Sequence, residues 1–272
     1  MPDQFGARLR QRLASGETLI GTFLNLGSAV SAEICGSAGF DWALVDLEHG
    51  SGGEPELLAQ LQALASTATS GLVRVESHER SRIGHALDAG AAGVMAPRVD
   101  DADQARRVVA ASRYPPAGTR GVALMNRAAG FGSRVGAMTD ADGLVLVVAQ
   151  IESPHGVAAA RAIASVDGVD VLFVGPSDLS HALGCFGRLD DPAYAGALRA
   201  VVDACDAQGK AAGVLAASPE DAERYLAEGY RFVGVSGDGG FLARGAGAAA
   251  SELRRRATAR GTATKRSLPH DV

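Results

Sequence analysis

Eight short apolar runs, each followed by a stretch of helical periodicity, restrict the folds open to this 272-residue chain. The runs are Thr18–Phe23, Trp42–Asp46, Leu72–Val75, Gly93–Ala96, Leu144–Gln150, Val171–Val174, Ala211–Leu215 and Phe232–Val235. They are nearly continuous in apolarity, as parallel strands covered on both faces are. Between them the spacing predicts helices over Ala29–Ala38, Glu54–Thr67, Arg80–Asp88, Asp101–Ser112, Gly156–Ser165, Pro192–Ala207, Pro219–Ala227 and Leu242–Arg256. Asp191 and Ser218 stand before prolines as helix caps, and Gly39, Gly90 and Gly229 follow helix ends. Eight such units without a break in composition predict an α/β fold closed into one (β/α)8 TIM barrel over residues 1–256, with a basic, flexible tail over 257–272. A doubly wound sheet is the alternative. No run leads into a glycine-rich turn with a partner acid about 20 residues on, so no nucleotide cofactor is expected.

Aromatic residues are only 5% of the chain, so the core is expected to be Val, Leu, Ile and Ala. The net charge of -5 disfavours a nucleic-acid surface, and no apolar run is long enough for a membrane span. Cys35, Cys185 and Cys205 lack metal or redox spacing, which points to a reducing, cytoplasmic setting. The stretch 114–142 is long for a barrel loop and carries Arg120, Arg127 and Arg134. The glycine-rich 234–240 turn after the last strand could hold an anion on backbone N–H groups.

A parallel barrel gathers its strand ends at one mouth, and here those ends are polar. Asp46, Glu48 and His49 lie at the end of the second run, Arg74 near the end of the third, Gln150 and Glu152 at the end of the fifth, and Asp178 after the sixth. Glu152 and Asp178 supply the hard oxygen donors that Mg2+ or Mn2+ prefers. Gln150 and Glu152, two apart on an extended strand, share one face. Arg74 suits capture of a small carboxylate, and His49 beside a carboxylate suits a general base. Plainer readings stay open for each: a first-turn helix acid for Glu152, a cap for Asp178 and an internal salt bridge for Arg74. The chain has two lysines. Lys265 belongs to the tail and Lys210 precedes the seventh strand, at the far end of the barrel, so a Schiff-base lysine is not expected.

The stretches Gly39-Phe40-Asp41-Trp42 to Asp46-Leu47-Glu48-His49, Ala89 to Pro97, Tyr114 to Gly121, Gln150-Ile151-Glu152 and Gly175-Pro176-Ser177-Asp178-Leu179-Ser180 occur in one order over about residues 18–240. In this the chain resembles the HpcH/HpaI aldolase family, the class II, metal-dependent pyruvate aldolases. Its kinds include 4-hydroxy-2-oxoheptanedioate, 2-dehydro-3-deoxyglucarate and 2-keto-3-deoxy-rhamnonate aldolases. The resemblance implies a (β/α)8 barrel of the phosphoenolpyruvate/pyruvate superfamily type, assembled as a homo-hexamer (a trimer of dimers) with the last helix exchanged between subunits. It implies Glu152 and Asp178 as ligands of a divalent cation (Mg2+, Mn2+ or Co2+), and Arg74 as the clamp on the pyruvate carboxylate. His49 paired with Asp46 is then the base, and Gln150, Gly175, Pro176 and Ser177 line the substrate pocket. Asp88 is brought towards the histidine of a neighbouring subunit. The implied reaction is reversible aldol cleavage of a 4-hydroxy-2-oxo acid to pyruvate and an aldehyde. An acyl-CoA lyase resembling citrate lyase β chains is the rival enzyme, and would need a basic patch, for which Arg120, Arg127 and Arg134 are the candidates. A non-catalytic assembly barrel is the rival of another class.

Overall fold

The computed structural model describes residues 5–134 and 143–266. Eight parallel strands close into a barrel in chain order: β1 (Leu19–Leu24), β2 (Trp42–Asp46), β3 (Ser70–Arg74), β4 (Gly93–Ala96), β5 (Leu146–Ile151), β6 (Val171–Val174), β7 (Ala211–Ala216) and β8 (Phe232–Gly237). All eight predicted runs are strands. β3 starts earlier than its apolar run, because buried Ser70 and Gly71 pair with Trp42 and Ala43 of β2 while adding little apolar signal.

The helices are α1 (Phe5–Ala14), α2 (Ala29–Ser37), α3 (Glu54–Leu64), α4 (Arg80–Asp88), α5 (Ala102–Ser112), α6 (Pro154–Ala164), α7 (Pro176–Ala182), α8 (Pro192–Ala207), α9 (Pro219–Ala227) and α10 (Asp238–Arg266). Two were not expected. α1 plugs the N-terminal end of the barrel, where Leu9 and Leu13 pack against the interior and Arg10 and Arg12 pair with Asp170 and Asp41. α7 is a short helix at the mouth, started by Gly175 and Pro176. α10 also begins before Leu242 and continues past Arg256, so residues expected as tail extend the helix. Glu252 pairs with Arg255 and Arg256 one turn on, within the part of the helix that was expected. Residues 135–142 of the expected long loop and 267–272 of the expected tail lie outside the described residues.

Two cores result. The layer between sheet and helices is built of Val, Leu, Ile and Ala, as the composition implies. The barrel interior differs: Phe23, Trp42, Phe173 and Phe232 fill it, with Trp42 stacked on Phe232 at a centroid distance of 4.3 Å. Gly21 leaves room for the indole, since a Cβ there would overlap the ring. The few aromatics are therefore concentrated at the barrel axis, beneath the mouth. Among the described residues, no helix is long and apolar enough to cross a membrane.

Candidate active site

The β2–β3 register places Asp46 directly beside Arg74, and their side chains form a two-point fork. Arg74 Nε donates to Asp46 Oδ1 at 2.9 Å and Nη2 donates to Oδ2 at 2.7 Å. Arg74 Nη1 lies 3.2 Å from Glu48 Oε2, and the guanidinium sits over the Phe23 ring. Part of the plainer reading of Arg74 is thus realised: it is a member of a buried salt bridge at the mouth. Burial alone would push the Asp46 carboxyl up, but Arg74 and the N–H groups of His49 and Glu48 outweigh it and hold the carboxyl below its usual range.

The expected pairing of the His49 ring with Asp46 is not formed. Asp46 Oδ1 accepts from the backbone N–H of His49 instead, as a residue three positions upstream in a turn does. The His49 ring is 63% exposed, and its Nε2 is 3.9 Å from Glu48 Oε2. Glu48, to which the sequence assigned no role, therefore stands between Arg74 and His49. Desolvation pushes its carboxyl above the usual range despite Arg74.

On the other side of the mouth, Gln150 lies one residue before the end of β5 and Glu152 directly follows the strand, and both are buried. Glu152 Oε2 accepts from the Arg98 N–H at 3.0 Å. Gly175 gives Glu152 its space, because a Cβ at that position would overlap Glu152 Oε1. Asp178 sits exposed in the first turn of α7. Burial first, then the nearby charges of Asp178 and Glu48, push the Glu152 carboxyl up to about 7. Gln150 Oε1 is buried without a hydrogen-bond partner. A groove of about 340 Å3 is lined by Pro176, Ser177, Phe186, Leu215 and Ser236.

These residues fit a divalent cation. A carboxyl raised by burial and then by two neighbouring carboxylates is one whose ionised form a cation would stabilise. Among the described residues no group of three or more His, Cys, Asp or Glu side chains could hold a metal by itself. Glu152 and Asp178 would therefore leave the remaining positions to water and substrate oxygens, as hard octahedral sites do.

Other expected residues lie elsewhere. Asp88 ends α4, and helices of such a barrel run antiparallel to the strands, so it lies towards the end opposite the mouth. Its carboxylate accepts from Arg120 Nη2 at 2.6 Å. Arg120 is buried over the Tyr114 ring, Arg127 donates to the carbonyls of Ala89 and Leu61, and Arg134 donates to the Arg127 carbonyl. These arginines tie the loop to α3, to the end of α4 and to itself, which argues against a patch for CoA phosphates. Lys210 precedes β7, away from the mouth. The stretch 234–240 is not a turn but the end of β8 and the start of α10, and it presents a carboxylate of its own: Asp238, whose oxygens accept from the N–H groups of Asn25 and Leu26 after β1 and of Gly239. Asn25 also reaches the site, with Nδ2 2.7 Å from Asp46 Oδ2. A lone polar residue after the first strand gave no pattern by which to find it.

Known proteins are similar to this chain over most of its length. A family model described as HpcH/HpaI aldolase/citrate lyase matches residues 19–244. The chain is 39% identical over 236 residues to a 5-keto-4-deoxy-D-glucarate aldolase of Enterobacter sp. (strain 638), covering 87% of this chain and 92% of that one. It is 42% identical over 224 residues to a hydroxypyruvate/pyruvate aldolase of Chromohalobacter salexigens, covering 82% and 88%. The crystal structure of a HpcH/HpaI aldolase/citrate lyase family protein from Burkholderia cenocepacia J2315 superposes with a TM-score of 0.88 at 38% identity, covering 91% of this chain and 99% of that one. The chain therefore belongs to the HpcH/HpaI aldolase/citrate lyase family.

Proposed function

We propose that the protein is a divalent-metal-dependent aldolase, a carbon–carbon lyase that cleaves a 4-hydroxy-2-oxo acid reversibly to pyruvate and an aldehyde. The observation that carries this reading is the gathering of carboxyl groups at the mouth, buried Glu152 with Asp178 on α7 and Glu48 on the Arg74 guanidinium, where burial and then Asp178 and Glu48 push the Glu152 carboxyl up to about 7. The aldolase relatives support the reaction class. Glu152 and Asp178 would hold Mg2+, Mn2+ or Co2+, which supplies charge stabilisation for the enolate oxygen of pyruvate.

The chain's own groups do the rest. Arg74, pinned along one edge by Asp46, offers its remaining N–H groups to the 2-oxo acid carboxylate. Gln150 supplies a buried acceptor, and Gly175, Pro176 and Ser177 wall the pocket beside Glu152. His49, facing Glu48, takes the proton of the C4 hydroxyl as the C3–C4 bond breaks, and the bond's electron pair stays with the pyruvate fragment. In the aldol direction the same base removes a methyl proton of pyruvate. The apolar wall past Phe186 and Leu215 faces the aldehyde.

The same reading includes a homo-hexamer, a trimer of dimers in a cytoplasmic setting. Val30 and Ile34 of α2 and Leu242 and Leu253 of α10 are exposed apolar residues, a face that an exchanged last helix would cover. Asp88 would then serve the His49 of a neighbouring subunit. Incubation of pyruvate with a panel of aldehydes tests the activity. Wild-type protein should form 4-hydroxy-2-oxo acids, and His49→Ala should lower kcat by about 10²–10⁴-fold. No product from any aldehyde, or an unimpaired His49→Ala, counts against this function.

A further inference from the structure

Arg74 owes its orientation to Asp46, and the orientation of Asp46 has its own support. Oδ1 is fixed by the backbone N–H groups of Glu48 and His49. Oδ2 accepts, besides Arg74, from Asn25 Nδ2 at 2.7 Å. Asn25 is itself held at both backbone ends. Its N–H donates to Asp238 Oδ1 at 2.7 Å and its carbonyl accepts from the Ser51 N–H at 2.7 Å. Asp238 is buried at the start of α10 and also accepts from Ser31 Oγ at 2.6 Å. One asparagine thus bridges the start of α10, the loop after β2 and the Arg74 fork.

The end of β8 is shaped to admit that side chain. Pairing between β1 and β8 shifts register between Gly21 and Phe23, so that Gly237 comes opposite Phe23. Ser236, just before it, has φ +54 in the left-handed region, a bulge-like conformation that re-aims the strand end. A Cβ on Gly237 would overlap Asn25 Oδ1. The amide therefore lies over bare backbone with its donor end turned to Asp46.

We propose that Asn25 is a positioning residue for the Arg74 carboxylate clamp, acting through Asp46, and that Gly237 is the space that keeps its amide in place. Without Asn25, Asp46 Oδ2 is held by Arg74 alone, and the fork can swing as a unit about Oδ1. The clamp then loses its aim at the bound carboxylate in the ground and transition states alike. This inference rests on the reading of Arg74 as the clamp for the 2-oxo acid.

Steady-state kinetics and a crystal structure test it together. Asn25→Ala should raise the KM for pyruvate roughly tenfold and change kcat far less, the signature of lost uniform binding. Gly237→Ala should give a similar rise, because its new Cβ displaces the amide. In the double variant the rise should be no larger than in Asn25→Ala, since both changes remove one interaction. Additive effects, or an unchanged KM in Asn25→Ala, would overturn the proposal while leaving the aldolase reading intact. A crystal structure of substrate-free Asn25→Ala tests the positioning role independently of activity. A displaced Asp46–Arg74 fork supports the proposal, and a fork in its present orientation overturns it. A wild-type protein without pyruvate turnover would count against the proposed function only, and the crystal structure would still decide the role of Asn25.

Discussion

Glu152→Gln should cut turnover by about 10³-fold while making the metal-free protein more stable at pH 8. The activity loss follows from removing the anionic donor of a cation that stabilises developing charge, the kind of interaction whose removal costs about 10²–10³-fold or more. The stability gain follows from linkage. The Glu152 carboxyl is raised from an ordinary 4.5 to about 7 in the fold, chiefly by burial and then by Asp178 and Glu48. A raised folded value means that the fold prefers the protonated group. The stability it contributes is fully present below pH 4.5 and is lost as the pH rises through about 7. The difference is on the order of 3 kcal/mol. Glutamine has no such proton to lose, so the variant should show a flatter stability–pH profile between those limits. Adding Mg2+ or Mn2+ at pH 8 should restore the wild type and leave the variant nearly unmoved. Denaturant midpoints of both proteins across pH, with and without the cation, check this directly. A variant that is less stable than wild type at pH 8 without metal would contradict the charge reading.

Trp42→Ala should be the most damaging single change to the fold. The indole is fully buried on the barrel axis, stacked on Phe232 and in edge contact with Phe23 and Phe173. Truncating a large buried aromatic costs about 3–5 kcal/mol through lost transfer energy and the cavity left behind. For a chain of this size that corresponds to a fall in Tm of roughly 10 °C. Phe23 also lies beneath the Arg74 guanidinium, so the loss should reach the mouth as a raised KM. Thermal unfolding and pyruvate kinetics on one preparation would show both effects. A Tm within about 2 °C of wild type would mean that the axis repacks around the gap.

How much of this was legible in the residues depends on the kind of signal each carried. The eight strands announced themselves because strands buried on both faces are continuous apolar runs, and Glu152, Asp178 and Arg74 stood out because polar residues ended those runs. α1 was missed because its value lies in two leucines that plug the barrel, a tertiary role without a local pattern. The reach of α10 past Arg256 runs through a polar, basic stretch that an apolar-periodicity reading does not count as helix. The partnering at the mouth was the least visible. Spacing placed His49 near Asp46 but could not show that the turn presents its backbone N–H and sends its ring to Glu48. Nor could it show that Asn25, from a different strand end, completes the Asp46 environment.

The most direct test of the account is aldol turnover of pyruvate with an accepted aldehyde in excess chelator, before and after a divalent cation is restored, with borohydride present in a parallel reaction. A metal-stabilised enolate predicts loss of turnover in chelator, recovery with Mg2+, Mn2+ or Co2+, and no covalent enzyme–pyruvate adduct. Undiminished turnover in chelator, or an adduct trapped on a lysine, would contradict it.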